Sequence, residues 1–425
     1  MHNNKKNFWQ DFKTQYIKDR LIINCVFLLY LFFINCFWGE MIWISFPVLT
    51  VMVLSDNLEN GFSYIVFGIP FCMLNPHLST LLYFVAIVLY IIKLCIIIFV
   101  KEKKQLNRRL IISLAVFVVY CLLPIGEYNN NVWLKLCLIL FILLAIIIFS
   151  LRPNTFRPEL NICMVSYAFI IASAFSLTYH ISPHLQNIFR INTAGDIVRF
   201  QALFDHTNVF AMACEIVLSL LACMIITKEK KLKFSILFGV LAVLGLLTLS
   251  KTYIITLFII CLCIFIWLVK KNPKRTLIIT GIVISCGLLI ILIFPKVSSL
   301  FFERFLGSLQ ECRDFKDVLN MITTGRVNLW LEYLSYIFTH PKTLIFGNGL
   351  GANVVNKMSS HNAYISMLYQ LGIVGISLLV GVIVMIIKNN KKSTKTKFNK
   401  ALLIPLIVIG LIMFVEDTIF YIVFR

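Results

Sequence analysis

The sequence predicts an all-α, polytopic transmembrane helix bundle of about 12–13 spans, and three observations carry that expectation. The 425 residues are 60% hydrophobic and 14% charged, with a mean hydropathy of +0.91; a soluble chain carries about a quarter charged residues. Apolar runs long enough to cross ~30 Å of hydrocarbon recur from Leu21 to the C-terminus. The cations are also sorted by side. Spans are expected near 21–38, 41–54, 61–74, 79–100, 110–125, 132–150, 160–178, 207–227, 234–249, 252–269, 276–294, 361–387 and 401–423. The first follows twenty polar and charged residues without a small-residue cleavage site, so it reads as a span and not a cleaved signal. The second and third are short, which leaves a re-entrant hairpin open there. With the N-terminus in the cytoplasm, strict alternation puts the stretches 1–20, 101–109, 151–159, 228–233, 270–275 and 388–400 on one side. They hold 26 of the 39 Lys and Arg residues. That side carries +19 of the net charge of +20, so the positive-inside rule accounts for the basicity and no nucleic-acid partner is implied. One cytoplasmic turn, "SDNLEN" (55–60), has no basic residue of its own.

Twelve of the thirteen cysteines lie in apolar runs, where a thiol behaves as a small hydrophobe; Cys312 is the exception. The pair in "CLC" (261–263) sits inside a span, so no metal site is expected. No soluble domain, linker or repeat interrupts the pattern. The chain 1–425 therefore reads as a single integral membrane domain containing one large extracytoplasmic loop, 295–360. Loops of that length are usually functional, and it is the sizeable place for a watery site.

Within that loop, "TTGRVNLWLEYLSYIFTH" (323–340) has Val327, Trp330, Leu331, Leu334, Ile337 and Phe338 at helical spacing. An amphipathic helix is expected, capped by Thr323 or Thr324 and ended by His340-Pro341. Its first turn breaks two local rules. Gly325 disfavours a helix, and Arg326 puts a cation where the macrodipole prefers an anion. Free N–H groups, a positive dipole end and a guanidinium fork describe a phosphate or diphosphate site. A simpler role for Arg326 is snorkelling to the interface. The glycines of "FGNGLG" (346–351) lack the strand and helix of a dinucleotide-binding unit. A tight turn bringing backbone close to a ligand or another helix fits them better.

His361 opens the next span, one residue after Ser360, the expected N-cap. A helix start disfavours an added cation, so a neutral imidazole able to accept a proton is expected there. Anchoring of the span by His361 and Asn362 is the simpler role. Upstream, segment 180–206 forms a second outer basic site with Arg190 and Arg199, and "DHTN" (205–208) starts the following span. Those arginines could equally meet lipid phosphates. Glu215, two turns into that span, is a carboxylate at costly depth and so a functional candidate. Glu416-Asp417 reads as interfacial.

Taken together, "GRVNLWLEYLSYIFTHPKTLIFGNGLG" and "HNAYISMLYQLGIVGI" resemble the signature of the O-antigen ligase/O-antigen polymerase superfamily of bacterial membrane glycosyltransferases. The matching positions are Gly325, Arg326, Trp330, Pro341, Gly347, Gly349, His361, Asn362, Gly372 and Gly375. "RFQALFDHTNVFA" (199–211) is similar to the family's upstream element through Arg199, Asn208 and Ala211, with Ala202 where many members have Gly. The resemblance implies a metal-independent, GT-C-like glycosyltransferase without cofactors, working at the outer face of the bacterial inner membrane on a polyprenyl-diphosphate-linked oligosaccharide donor. Arg199 and Arg326 would hold the diphosphate, and His361 would activate a hydroxyl of the glycan acceptor. Arg190, Asn362, Gly325, Trp330, Glu215 and Asn208 would line the substrate site. A flippase and a chain-length regulator are implied partners. Polymerisation of repeat units is the favoured activity; ligation to a terminal acceptor such as lipid A-core is the alternative. A glycolipid flippase is the less favoured alternative: it would show paired repeats and mid-bilayer charges, whereas no repeat is seen and the charges concentrate in the outer loops.

Overall fold

The structure is a computed structural model. It describes residues 20–74, 78–123, 131–152, 157–177, 192–194, 197–204, 206–228, 232–271, 325–350, 360–389 and 401–415, with positions 273–274, 314, 317–318, 320, 323 and 352. The helices in chain order are α1 (Arg20–Asn35), α2 (Ile42–Ser55), α3 (Leu58–Gly68), α4 (Leu78–Cys95) and α5 (Arg108–Leu122). Then come α6 (Asn131–Leu151), α7 (Pro158–Leu177), α8 (Thr207–Thr227), α9 (Leu232–Leu246) and α10 (Lys251–Lys271). The last four are α11 (Arg326–Thr339), α12 (Pro341–Phe346), α13 (Ala363–Asn389) and α14 (Leu403–Val415).

The all-α expectation holds, and twelve expected spans coincide with helices; the remaining one, 276–294, lies outside the described residues. Among the described residues, five helices are long and apolar enough to cross a membrane by themselves: Leu78–Lys101, Pro158–Ser176, Thr207–Thr227, Lys251–Lys271 and Ala363–Lys388. This is a multi-pass membrane protein. Between 41 and 74, α2 and α3 pack as a tight hairpin joined by Asp56 and Asn57, with Asn57 capping α3 through the Asn60 N–H. Each reaches about 26 Å only with its 3-10 extension, Gly39–Met41 or Ile69–Met73.

One feature was not expected. Asn192–Ala194 and Ile197–Arg199 pair as short antiparallel strands, β1 and β2, with Asn192 opposite Arg199. The two residues between them are Gly195-Asp196, a hairpin cue in an otherwise helical chain.

Among the described residues, three large apolar groups and a smaller one around Tyr333 and Tyr369 form the core. Helices α1–α4 pack with α7; α8 packs with α7, α9 and α14; α5 and α6 pack with α13. Ion pairs then gather the basic stretches at one end. Arg20 meets Asp56, Arg157 meets Glu59, Arg152 meets Glu102, and Lys228 meets Glu159. The turn that lacks a basic residue borrows one, for the Lys93 ammonium donates to the Val53, Leu54 and Asp56 carbonyls. The charge sorting read from sequence is thus a spatial fact for these stretches.

The opposite end is located by α8 and α14. The Cys223 thiol, near the end of α8, donates to the Ala401 carbonyl just before α14. The two helices are therefore antiparallel, and the start of α8 shares an end with the finish of α14. The Tyr364 hydroxyl, in the first turn of α13, donates to the Gly410 carbonyl, which brings the start of α13 to that end too.

Candidate functional site

The end remote from the ion pairs carries two cation-bearing clusters. In the first, α11 meets the mouth of α13. The Trp330 indole N–H donates to the Ser360 carbonyl at 2.9 Å, beside His361. Arg326 lies one turn before Trp330 on the same helix face, so this bond carries the guanidinium and imidazole towards a common region. The Trp330 ring also meets Phe414 edge-on at 5.1 Å, which ties the cluster to α14. Arg326, Trp330 and His361 are all partly exposed.

Three local expectations need correction. Gly325 is not in the first turn; it is the N-cap residue, at φ +85°, a left-handed conformation that glycine adopts without penalty. Its N–H donates to the Asn320 carbonyl, and the Asn320 side chain accepts from the Asn328 N–H. Asn320 therefore does the work expected of Thr323, which instead donates to the Asn320 carbonyl; Thr324 lies outside the described residues. Ser360 is likewise not the N-cap of α13. Asn362 caps it, accepting from the Tyr364 and Ile365 N–H groups, and is 2% exposed. Ser360 braces the approach, exchanging bonds with Asn362 and Ser366.

His361 thus stands outside the helix, at φ +50°. A non-glycine residue in that region costs about 1–2 kcal/mol, held here by the Ser360–Asn362 bracing on either side.

The apolar stripe of α11 also divides. Tyr333 and Ile337 are buried against Ala352 and Tyr369, whereas Leu331 and Phe338 are 49% and 63% exposed. One flank packs on protein; the other suits lipid.

The glycines after α12 meet a break in α13. Gly372 has φ +61° and ψ −177°, and the helix parts there. Asn348 and Gly349 donate their N–H groups to the freed Tyr369 and Gln370 carbonyls, and the Tyr120 hydroxyl donates to Leu371. A Cβ on Gly347 would overlap the Gln370 carbonyl, and one on Gly372 would overlap the Gly347 nitrogen. The glycine turn therefore serves close approach to another helix, as its sequence suggested. In a bilayer such a break persists only when its carbonyls find partners, and here they do.

The second cluster surrounds Arg199, at the end of β2. Its Nε donates to the Thr248 carbonyl at 2.9 Å, and its Nη2 donates to Asn208 Oδ1 at 3.1 Å. The Phe200 N–H donates to the Leu247 carbonyl, which fixes the hairpin against the α9–α10 connection. Lys251 begins α10 three residues beyond Thr248. Asn208 is in the first turn of α8; Glu215, seven residues on, lies about 10 Å deeper on the same face and is fully buried. The upstream sequence element is therefore a real constellation, yet its closest acceptor, a Thr248 carbonyl, has no sequence signature. Tyr120 and Phe414 were missed for the same reason. Arg190 and Glu416-Asp417 lie outside the described residues.

The two clusters flank α14: Phe414 touches the first through Trp330, while α14 packs along α8, whose first turn carries Asn208. Residues 236–380 match the sequence model of the family described as O-antigen ligase. That match spans this one region and not the greater part of the chain. The matched region holds Arg326, Trp330, His361 and the Gly347–Gly372 junction, whereas Arg199 and Asn208 precede it. No curated protein and no solved structure matches the chain. The apolar helices make this a membrane protein, and the matched region supports a role in O-antigen and polysaccharide biosynthesis.

Proposed function

We propose that this protein is a glycosyltransferase that polymerises polyprenyl-diphosphate-linked oligosaccharide repeat units, and that the whole chain acts as one integral membrane unit. The observation that carries the proposal is the Trp330–Ser360 bond, which brings the Arg326-bearing turn to the His361-bearing mouth. Arg326 and Arg199 hold the donor diphosphate as bidentate forks. The acceptor hydroxyl attacks the anomeric carbon of the donor sugar and gives its proton to His361. A new carbon–oxygen bond forms as the bond to the diphosphate breaks, and the lipid diphosphate leaves with that electron pair. Preorganised guanidinium groups stabilise the charge developing on the leaving group, so no nucleotide is consumed. Asn208 positions Arg199, Asn362 positions His361, and Trp330 and Gly325 set the pose of α11. The clustered basic end faces the cytoplasm of the producing bacterium, which puts the reaction at the outer face of its inner membrane.

The name of the matched family favours a second reading, transfer of the lipid-linked glycan to a terminal acceptor. One incubation separates them. Purified protein given a defined lipid-linked repeat unit makes longer lipid-linked chains if it is a polymerase. Product that forms only after addition of a separate acceptor identifies a ligase, and no transfer under either condition removes both readings.

A further inference from the structure

Beneath the Arg199 cluster lies a cavity of about 560 Å³, enclosed by α3, α4, α6, α7 and α8. Val209 and Phe204 stand at its upper edge, and Val209 directly follows Asn208, the residue that holds Arg199. From Val209 to Leu220, α8 lines it over about 16 Å of depth. Asn161, near the ion-paired end, belongs to the lining as well, so the cavity runs along the bundle and not across it. Its walls are hydrocarbon. Of the polar side chains in the lining, Thr80 donates to the Cys72 carbonyl and Tyr83 to the Ile65 carbonyl, while the Asn161 carbonyl oxygen accepts from Ser63 and its buried amide nitrogen has no hydrogen-bond partner among the described residues.

We infer that this cavity receives the isoprenoid chain of the donor's lipid carrier, while the Arg199 cluster above it holds the diphosphate. The inference rests on the proposed donor. A single long hydrocarbon chain joined directly to a diphosphate matches an apolar cavity whose lining begins one residue after the Asn208 that holds the Arg199 guanidinium. A phospholipid would bring two chains and a bulky diester head. Because bilayer hydrocarbon is as apolar as the cavity, burial there gains packing and not hydrophobic free energy. The cavity therefore acts mainly on position: it fixes where the first carrier carbons, and so the diphosphate, come to rest. Its volume takes several isoprene units, and the remainder of the chain stays in the membrane.

The test uses the full chain in phospholipid vesicles and a polyprenyl diphosphate with a photoreactive diazirine a few isoprene units from the phosphate. Light should attach it to α8 between Val209 and Leu220 and to the facing part of α4. Unlabelled polyprenyl diphosphate should displace it, and excess phospholipid should not. Ala213, whose methyl faces the cavity, is replaced in Ala213→Trp; this should abolish labelling and raise KM several-fold for a long-chain donor, with KM for a two-isoprene donor unchanged. Labelling elsewhere, labelling that persists in Ala213→Trp, or displacement by phospholipid overturns the inference. If that variant does not fold, labelling of the unaltered protein decides alone. Misplaced labelling with normal transfer sinks the cavity and leaves the donor reading intact, whereas loss of transfer from both donors sinks the reading itself.

Discussion

The two ends of this bundle treat their cations differently. At the basic end, Arg20, Arg152, Arg157 and Lys228 each meet a carboxylate. At the other end, Arg199 is held by a backbone carbonyl and an amide oxygen. A carboxylate partner ties a guanidinium to another loop; the Thr248 and Asn208 oxygens fix the direction of the Arg199 guanidinium. The first arrangement stitches loops together. The second orients a fork, which in the proposed reaction meets the donor diphosphate.

That contrast ranks the expected effects of substitution. His361→Ala should lower transfer by about 10²–10⁴ while donor binding persists, as expected for loss of a general base; this is checked by turnover and donor binding on the same purified sample. A variant that turns over normally would reassign the left-handed His361 backbone to packing. Gly372→Ala should destabilise by about 3 kcal/mol, combining a disfavoured backbone with overlap against Gly347, measured by thermal unfolding in detergent. Trp330→Phe keeps the ring against Phe414 but removes the bond to Ser360, so about 1 kcal/mol is expected, seen as a raised KM with modest change in stability. Smallest is the basic end. Arg157→Gln should cost about 0–1 kcal/mol of stability, since both partners of the Glu59 pair are partly exposed, and should leave transfer unchanged.

Much of this was legible in the sequence because membranes impose one-dimensional rules. Hydropathy located the helices, and lysine and arginine placement sorted their ends; the ion pairs among 20, 56–59, 102, 152–159 and 228 agree with that sorting. Local helix chemistry was read less well. Gly325 looked like a residue inside a helix because spacing cannot report the sign of φ, and Asn320, five residues upstream, supplies the cap. Ser360 and Asn362 are both good N-cap types, and only backbone geometry chooses Asn362. Contacts between distant segments left no local trace. Tyr120 bonding the break at Leu371, and Thr248 holding Arg199, join residues whose neighbours in sequence give no hint of each other. The stripe on α11 was visible, but one periodic pattern cannot say which flank meets protein and which meets lipid.

The most direct measurement is equilibrium binding of a sugar-free polyprenyl diphosphate to the purified protein and to Arg199→Lys, Arg326→Lys and the double variant. Each single change keeps the charge and removes the fork, so each should weaken binding about tenfold or more. The two losses should not simply multiply, because both forks share one ligand. Unaltered binding in either single variant, or losses that multiply as for independent sites, would contradict a common diphosphate site at this end of the bundle.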